Sequence, residues 1–224
     1  MLYMPRDRNR ALAGWSLIVA PALLVLANAI DPAQSDQAAE RLPEIADHPT
    51  RYLVAAYLLL GSAWAFVPGL VGLWRLFRGP RLSLGQVGAG LLLIGTITTV
   101  AFVGFGFYEY EASQPGHDPS QMAELVDQVE ASAAAGPLVV VFLLGVVVGS
   151  LVLAWSLWRR RIVPAWSPAA ILVGTILNFL ADSAAMSALA FAFQLAGFGW
   201  VGLRLISTPG EERGRRAGLE VAPG

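Results

Sequence analysis

The stretch PLVVVFLLGVVVGSLVLAWSLW, residues 137–158, is a clear indication of how this chain folds. It contains no charged residue, and Arg159, Arg160 and Arg161 follow it directly. Because an α-helix rises about 1.5 Å per residue, about 20 apolar residues cross a bilayer core of about 30 Å. Residues 137–158 therefore predict a membrane-spanning helix that ends at a charged boundary.

The composition extends this prediction to the whole chain. Of its 224 residues, 56% are hydrophobic and 14% are charged, and the mean hydropathy is +0.59. An average soluble domain is about 25% charged, so the apolar surplus here requires lipid around it. The chain has no cysteine, which excludes disulfides, iron–sulfur clusters and a cysteine nucleophile. A net charge of −1 gives no indication of nucleic acid as a partner.

Six stretches are long and apolar enough to span a bilayer, and together they predict an all-α fold, a polytopic membrane helix bundle. The predicted transmembrane helices cover residues 11–30, 52–73, 84–108, 137–158, 164–181 and 184–204. The last two are separated at Asp182 and Ser183, whose side chains are suited to cap the sixth helix. We expect one transmembrane domain over residues 1–206 and a disordered cytoplasmic tail over residues 207–224.

Arginine placement orients the six predicted helices. If the first helix starts inside the cell, only Arg41 and Arg51 fall on the outer side. The inner side holds Arg6, Arg8, Arg10, Arg75, Arg78, Arg81, Arg159, Arg160, Arg161, Arg204, Arg213, Arg215 and Arg216. Because cytoplasmic segments are enriched in arginine, both termini are predicted to be cytoplasmic. The use of arginine without any lysine favours a GC-rich bacterial source, and we expect the plasma membrane of such a cell.

The first predicted helix also has features of a secretory signal peptide. Arginines precede it, and the small residues Ala27-Asn28-Ala29 follow its apolar run. The apolar region of a signal peptide is typically about 7–15 residues long, and the run here is longer. We therefore expect an uncleaved anchor, while cleavage would leave five helices.

The connection between the third and fourth predicted helices contains a short amphipathic helix. Asp118, Pro119 and Gln121 provide a cap, a proline at the first helical position and an amide three residues after the cap. The apolar positions that follow at helical spacing are Met122, Leu125, Val126 and Val129. We expect a helix of about fifteen residues on the outer surface, packed as a lid on the helix ends. A partner-binding helix is the alternative.

Small residues repeat every four positions on three of the predicted helices. They are Gly61, Ala65 and Gly69, then Gly145 and Gly149, then Ala184, Ala188, Ala192 and Ala196. Such stripes let helix backbones approach closely in a bilayer. They predict packing within the bundle or, alternatively, a homo- or hetero-oligomer.

Few polar groups lie at membrane depth, and most of them fall on the last two predicted helices. A candidate ligand-binding set near the outer leaflet comprises Asn178, Asp182, Ser183, Ser187 and Gln194. We favour hydrogen bonding between helices over a ligand site for these residues, because polar side chains hold membrane helices together. Three threonines in the third predicted helix, Thr96, Thr98 and Thr99, are expected to donate to carbonyls one turn earlier in the chain.

His48 and His117, each beside an aspartate and both assigned to the outer side, are a candidate metal site. With Asp47, Asp118, Glu109 or Glu111 they would supply the nitrogen and oxygen ligands that suit Zn²⁺, but their spacing matches no known zinc motif. We favour the interpretation that the two histidines are solvated loop residues. No histidine lies within a predicted helix, which excludes a bis-histidine haem, and we expect no cofactor.

The segment from His48 to Thr98, with the exit Gly72-Leu73-Trp74-Arg75-Leu76, resembles six-helix integral membrane proteins of high-GC bacteria that form a domain of unknown function. The resemblance is architectural and assigns no site residues. We predict a non-enzymatic membrane protein that acts through other membrane components. The alternatives are a small transporter or ligand-binding protein with a polar cavity near the outer leaflet, and a metal-dependent enzyme with a site on the outer face.

Overall fold

The computed structural model describes residues 6–35, 37–78, 82–133, 135–181 and 183–207, with side chains from Arg8 onward. Its elements are α1 (Arg6–Ile30), α2 (Ala38–Asp47), α3 (Pro49–Leu76), α4 (Leu84–Ala112), α5 (Pro119–Glu130), α6 (Ala135–Leu143), a π-helical turn (Leu144–Val148), α7 (Gly149–Arg159), α8 (Trp166–Leu180) and α9 (Ala184–Ser207). The all-α prediction is thus confirmed for the described residues. Asp182 and the predicted tail from residue 208 lie outside them, as do the side chains of Arg6, Arg81, Arg213, Arg215 and Arg216.

The long helices form a closed ring that follows the order of the chain. α1 packs on α3, α3 on α4, α4 on α7, α7 on α8, α8 on α9, and α9 on α1. Neighbours run antiparallel: a Cβ added at Gly14 would lie 2.5 Å from Ile206 Cγ1, and one added at Gly202 would lie 3.0 Å from Ile18 Cγ1. As a result, α1 begins and α9 ends at the same end of the bundle.

The two ends of the bundle differ in character. One end carries the exposed side chains of Arg75, Arg78, Arg159, Arg161 and Arg204, and we call it the arginine end. The opposite end carries the short helices α2 and α5, which pack on each other, and we call it the α2–α5 end. The main apolar core, which includes Leu17, Leu73, Leu153 and Phe198, fills the ring.

Glycines let the helix backbones of this ring touch. A Cβ added at Gly145 would lie 2.6 Å from Gly95 Cα, and one added at Gly69 would lie 2.7 Å from Leu17 Cδ2. The stripe on α3 and the stripe formed by Gly145 of the π-helical turn and Gly149 of α7 are therefore used for packing within the bundle, as predicted. The third predicted stripe faces outward on α9, since its exposed members are Ala184, Ala188, Ala192 and Ala196.

Five helices among the described residues are long and apolar enough to cross a membrane: α1, α3, α4, the continuous helix Ala135–Arg159, and α9. α8 has 15 residues, or about 22 Å of helix, which is shorter than a bilayer core. Length alone therefore does not confirm the prediction of six spans. α8 packs on α7 and on the π-helical turn, and so belongs to the bundle. By contrast, α6, at the start of the continuous helix Ala135–Arg159, has no buried residue.

The predicted local hydrogen bonds are present. Asp118 Oδ1 accepts the N–H of Ser120 at 2.9 Å and begins α5, which has 12 residues rather than about fifteen. Ser183 Oγ accepts the N–H of Met186 at 3.4 Å in the first turn of α9. The hydroxyls of the three threonines donate to the carbonyls four residues earlier, at 2.8 Å for Thr96, 3.0 Å for Thr98 and 3.2 Å for Thr99. α2 is an element that the sequence analysis did not predict.

Candidate functional site

Arg41 of α2 connects three helices at the α2–α5 end. Its Nη2 atom donates to Oε1 of Glu109, in the last turn of α4, and to Oε1 of Glu130, at the end of α5, the latter at 2.6 Å. Its Nη1 atom donates to the carbonyl of Ser35 at 3.2 Å. The side chains of Arg41 and Glu109 are 13% and 8% exposed. This pair is therefore shielded from water, where an ion pair is strong only if its hydrogen bonds are satisfied.

Tyr52 of α3 binds the second carboxylate oxygen of Glu109. The tyrosine hydroxyl lies 3.0 Å from Glu109 Oε2 and 3.2 Å from the carbonyl oxygen of Gly106. A Cβ added at Gly106 would lie 3.0 Å from this hydroxyl, so the absence of a side chain there admits the tyrosine. Glu109 thus accepts a hydrogen bond on each oxygen, and such charge-assisted bonds are stronger than neutral ones.

A small apolar cluster supports this network. Leu42 and Ile45 of α2 and Val126 of α5 are buried together with Tyr52. Burial of these side chains fixes α2 and α5 across the ends of the long helices. Arg41, next to Leu42, is thereby positioned beside the end of α4.

The charged network lines one end of a cavity of about 380 Å³. Each of three helices contributes a polar residue at or just beyond its end and an apolar residue two turns deeper. The pairs are Asp31 and Leu24 of α1, Tyr52 and Leu59 of α3, and Glu109 and Phe102 of α4. Seven residues of helix correspond to about 10 Å, so the wall changes from polar to apolar over that depth. Phe191 of α9 lines the cavity as well.

Burial and charge shift two titratable groups outside the long helices. Burial raises the pKa of Asp31, although a backbone hydrogen bond and the charge of Arg51 oppose this shift. Burial by itself lowers the pKa of Arg41, but the carboxylates of Glu109 and Glu130 more than offset it, and the pKa of Arg41 is raised. Arg41 therefore stays charged, while Asp31 takes up a proton more readily than an exposed aspartate does.

The ligand-binding set predicted from the sequence lies elsewhere, on α8 and α9. Gln194 is buried, Asn178 and Ser187 are half-buried, and Ser183 is exposed. None of these four residues is part of the cavity lining described above. Asp182 lies outside the described residues, and a binding role for the set stays a prediction.

The two histidines are both exposed. His48 separates α2 from α3, and His117 precedes α5. Within the described ranges, no three histidine, aspartate or glutamate side chains stand close enough to hold a metal ion. A zinc site at His48 and His117 stays a prediction, and it would need further ligands.

The sequence analysis gave Arg41 and Tyr52 no role in a site, and it considered Glu109 only as a possible ligand beside the two histidines. One signal was available: Phe102, Gly106 and Glu109 follow each other at steps of four and three, which is one face of a helix. The third predicted helix stopped at Tyr108, whereas α4 continues to Ala112. The longer helix includes Glu109 and turns it inward.

These features are those of a multi-pass membrane protein, with apolar helices of membrane-crossing length around a partly polar cavity. More specifically, the chain belongs to the DUF4386 family, a domain of unknown function whose family model matches residues 12–206. No curated protein and no solved structure matches the chain.

Proposed function

We propose that this chain is a membrane-embedded binding protein for a small organic cation with an apolar body, held in the cavity between α1, α3 and α4. The observation that carries the proposal is the composition of the cavity lining. Among the described residues that line the cavity, three carry carboxyl groups, Asp31, Glu109 and Glu130, and one carries a guanidinium group, Arg41. This is the ligand-binding alternative from the sequence analysis, moved to a different part of the bundle.

The sign of the ligand charge follows from how Arg41 is engaged. Its guanidinium donates to Glu109, Glu130 and the carbonyl of Ser35. An anionic ligand would have to displace carboxylates from it, and releasing the carboxylate of Glu109, which is only 8% exposed, is costly. A cation instead adds positive charge where carboxyl groups are in excess, and clefts lined by one sign of charge concentrate the opposite sign.

The apolar part of the ligand follows from the deeper lining. Phe102, Phe105 and Phe191 line the cavity beside Leu24 and Leu59. Aromatic rings attract organic cations through their faces and bury hydrocarbon at the same time. A ligand with its charge near Glu109 and its apolar body about 10 Å deeper matches both parts of the wall.

The test compares two ions of the same shape and opposite charge. Purified protein in lipid nanodiscs is titrated with radiolabelled tetraphenylphosphonium and, separately, with tetraphenylborate, and the signal of empty nanodiscs is subtracted. We expect saturable binding of the cation and at least about tenfold weaker binding of the anion, which corresponds to about 1.4 kcal/mol. Equal binding of both ions would refute the charge assignment.

Variants locate the binding site. Ala56 lines the cavity, so Ala56→Phe places a large ring in it, and we expect this variant to lose saturable binding. Ala101→Phe, at an exposed position of α4, is the matched control and should bind the cation as the wild type does. Glu109→Gln should weaken cation binding, while Glu124→Gln, on the exposed face of α5, should not. Unchanged binding in Ala56→Phe would remove the cavity from consideration.

We also propose the topology in which this binding takes place. Six spans are supported by the direction of α9, which runs antiparallel to both α1 and α8, so that α8 returns the chain from the arginine end. With arginine-rich segments retained inside, the arginine end is cytoplasmic and the cavity faces outward, in the plasma membrane of a bacterial cell.

A role through other membrane components, without catalysis, is the second hypothesis that we keep from the sequence analysis. The exposed alanine face of α9 is the stripe that stays open for a partner helix.

A further inference from the structure

The carboxyl groups of the cavity lining differ in how they are engaged. Arg41 binds both Glu109 and Glu130. Within the described part of the chain, the carboxyl group of Asp31 forms no ion pair and accepts one hydrogen bond, from the N–H of Ala33 to Oδ1 at 3.0 Å. The Oδ2 atom of Asp31 therefore keeps its capacity to accept a hydrogen bond from a ligand.

The end of α1 fixes the position of Asp31. Its N–H donates to the carbonyl of Ala27 at 3.0 Å, so Asp31 continues the helical path one residue beyond α1. The amide of Gln34 donates to the carbonyls of Asn28 and Asp31, at 3.0 Å and 3.3 Å, and closes the turn that follows. Because residues three apart are neighbours on a helix face, Asn28 and Asp31 lie side by side, and both line the cavity.

The charged groups around Asp31 act on its carboxylate from a distance. Burial raises the pKa of Asp31, while a backbone hydrogen bond and the charges of Arg51 and Arg41 lower it. The charge of Glu44 raises this pKa as well. Arg51 does not pair with Asp31 but donates to the carbonyl of Ile30, at 2.5 Å. The carboxylate has thus lost part of its hydration, and a hydrogen bond from a cationic ligand can replace it.

We propose that the ligand of the cavity is a protonated amine with at least one N–H group, which donates to Oδ2 of Asp31 while its hydrocarbon lies against the deeper apolar wall. This inference rests on the proposed function and narrows it, because a quaternary ammonium or phosphonium ion has the charge but no hydrogen-bond donor. Hydrogen bonds between charged groups are stronger than neutral ones. Asp31 is then the residue that determines specificity for amines, and the amide oxygen of Asn28 is a second acceptor for an amine with more than one N–H group.

The experiment measures competition with radiolabelled tetraphenylphosphonium for the protein in lipid nanodiscs. The competitors are 4-phenylbutylamine and its N-methyl, N,N-dimethyl and N,N,N-trimethyl derivatives, which share a single positive charge at neutral pH and the same hydrocarbon body. The dimethyl and trimethyl members differ by one methyl group, and only the trimethyl member lacks an N–H donor. We expect the apparent affinity to fall at least about tenfold at this last step, which corresponds to about 1.4 kcal/mol.

A variant of Asp31 tests whether this residue is the acceptor. Asp31→Asn removes the charge but keeps an oxygen for the N–H of Ala33, so the turn after α1 is retained. We expect this variant to bind tetraphenylphosphonium more weakly and to reduce the difference between the dimethyl and trimethyl members to about threefold or less, since a neutral acceptor binds a charged donor less strongly. Asp127→Asn, at an exposed position of α5, is the matched control and should keep the full difference. If Asp31→Asn fails to fold, Asp31→Ser, which also presents an oxygen to that N–H, takes its place.

The outcomes separate this inference from the proposed function. Equal competition by the dimethyl and trimethyl members in the wild type would overturn the amine assignment, while saturable binding of tetraphenylphosphonium would still support the cation site. A full difference in the Asp31 variant would place the N–H acceptor on another residue and would also overturn the inference. Absence of saturable tetraphenylphosphonium binding to the wild type would overturn the proposed function, and the amine assignment with it.

Discussion

Arg41 binds carboxylates of two different helices. Its removal should therefore lower the free energy of unfolding more than the loss of an exposed charge does. Arg41→Gln would leave Glu109, 8% exposed, without its cation. We expect the free energy of unfolding to fall by about 3 kcal/mol, because breaking a buried pair leaves a buried charge behind. The measurement is a denaturant titration of purified protein in mixed micelles.

A second substitution separates this effect from a general loss of packing. Arg41→Gln/Glu109→Gln removes both charges, and we expect it to recover most of the lost stability, since the two residues interact directly. Arg51→Gln is the control: Arg51 is exposed and donates to the carbonyl of Ile30, and its loss should cost less than about 1 kcal/mol. A double variant no more stable than the single one would show that the ion pair is not the cause.

At the scale of single residues, the sequence predicted interactions that are local in the chain. Asp118 at the start of α5 and the threonines of α4 bond to groups two to four residues away, and their chemistry determines the partner. Arg41 and Glu109 are 68 positions apart. No pattern in either segment identifies the other, so this pair became visible only in the folded chain.

At the scale of elements, the contact between α4 and the π-helical turn before α7 depends on missing side chains. A methyl group added at Gly145 would lie 2.6 Å from both Cα and N of Gly95, which are backbone atoms that do not move aside easily. We expect Gly145→Ala to lower the free energy of unfolding by about 1–3 kcal/mol, as overpacking does. Gly145 is the second residue of the π-helical turn Leu144–Val148, so this turn is the part of the chain that contacts Gly95.

Gly104→Ala on α4 is the matched control, since nothing lies within 4 Å of an added Cβ there. It should be neutral or stabilising by up to about 1 kcal/mol, because alanine favours a helix over glycine. If Gly145→Ala is as stable as Gly104→Ala in the same titration, the two helices are not in backbone contact.

Hydrophobic length predicted the long helices well, because membrane spans are selected for apolar residues over a fixed distance. It failed for α2, whose ten residues mix charge with apolar positions and include Pro43. That helix is stabilised by the burial of Leu42 and Ile45 against α5 and α4, and such a contact is not encoded in either segment alone. The cavity likewise forms only where helices from distant parts of the chain meet, and most of its described lining comes from α1, α3 and α4.

At the scale of the whole molecule, we expect the arginine end to face the cytoplasm, and single thiols at the two ends of the bundle test this. The chain has no cysteine, so Ser120→Cys in α5 and Ser207→Cys at the end of α9, both exposed, can each carry a single thiol. Arginine-rich segments stay in the cytoplasm, so a maleimide that cannot cross the membrane should label Ser120→Cys in intact cells and leave Ser207→Cys unlabelled. Both must be labelled after the cells are opened, which shows that each thiol is accessible. Labelling of Ser207→Cys in intact cells would place the arginine end outside, and the cavity proposed for an organic cation would then open toward the cytoplasm.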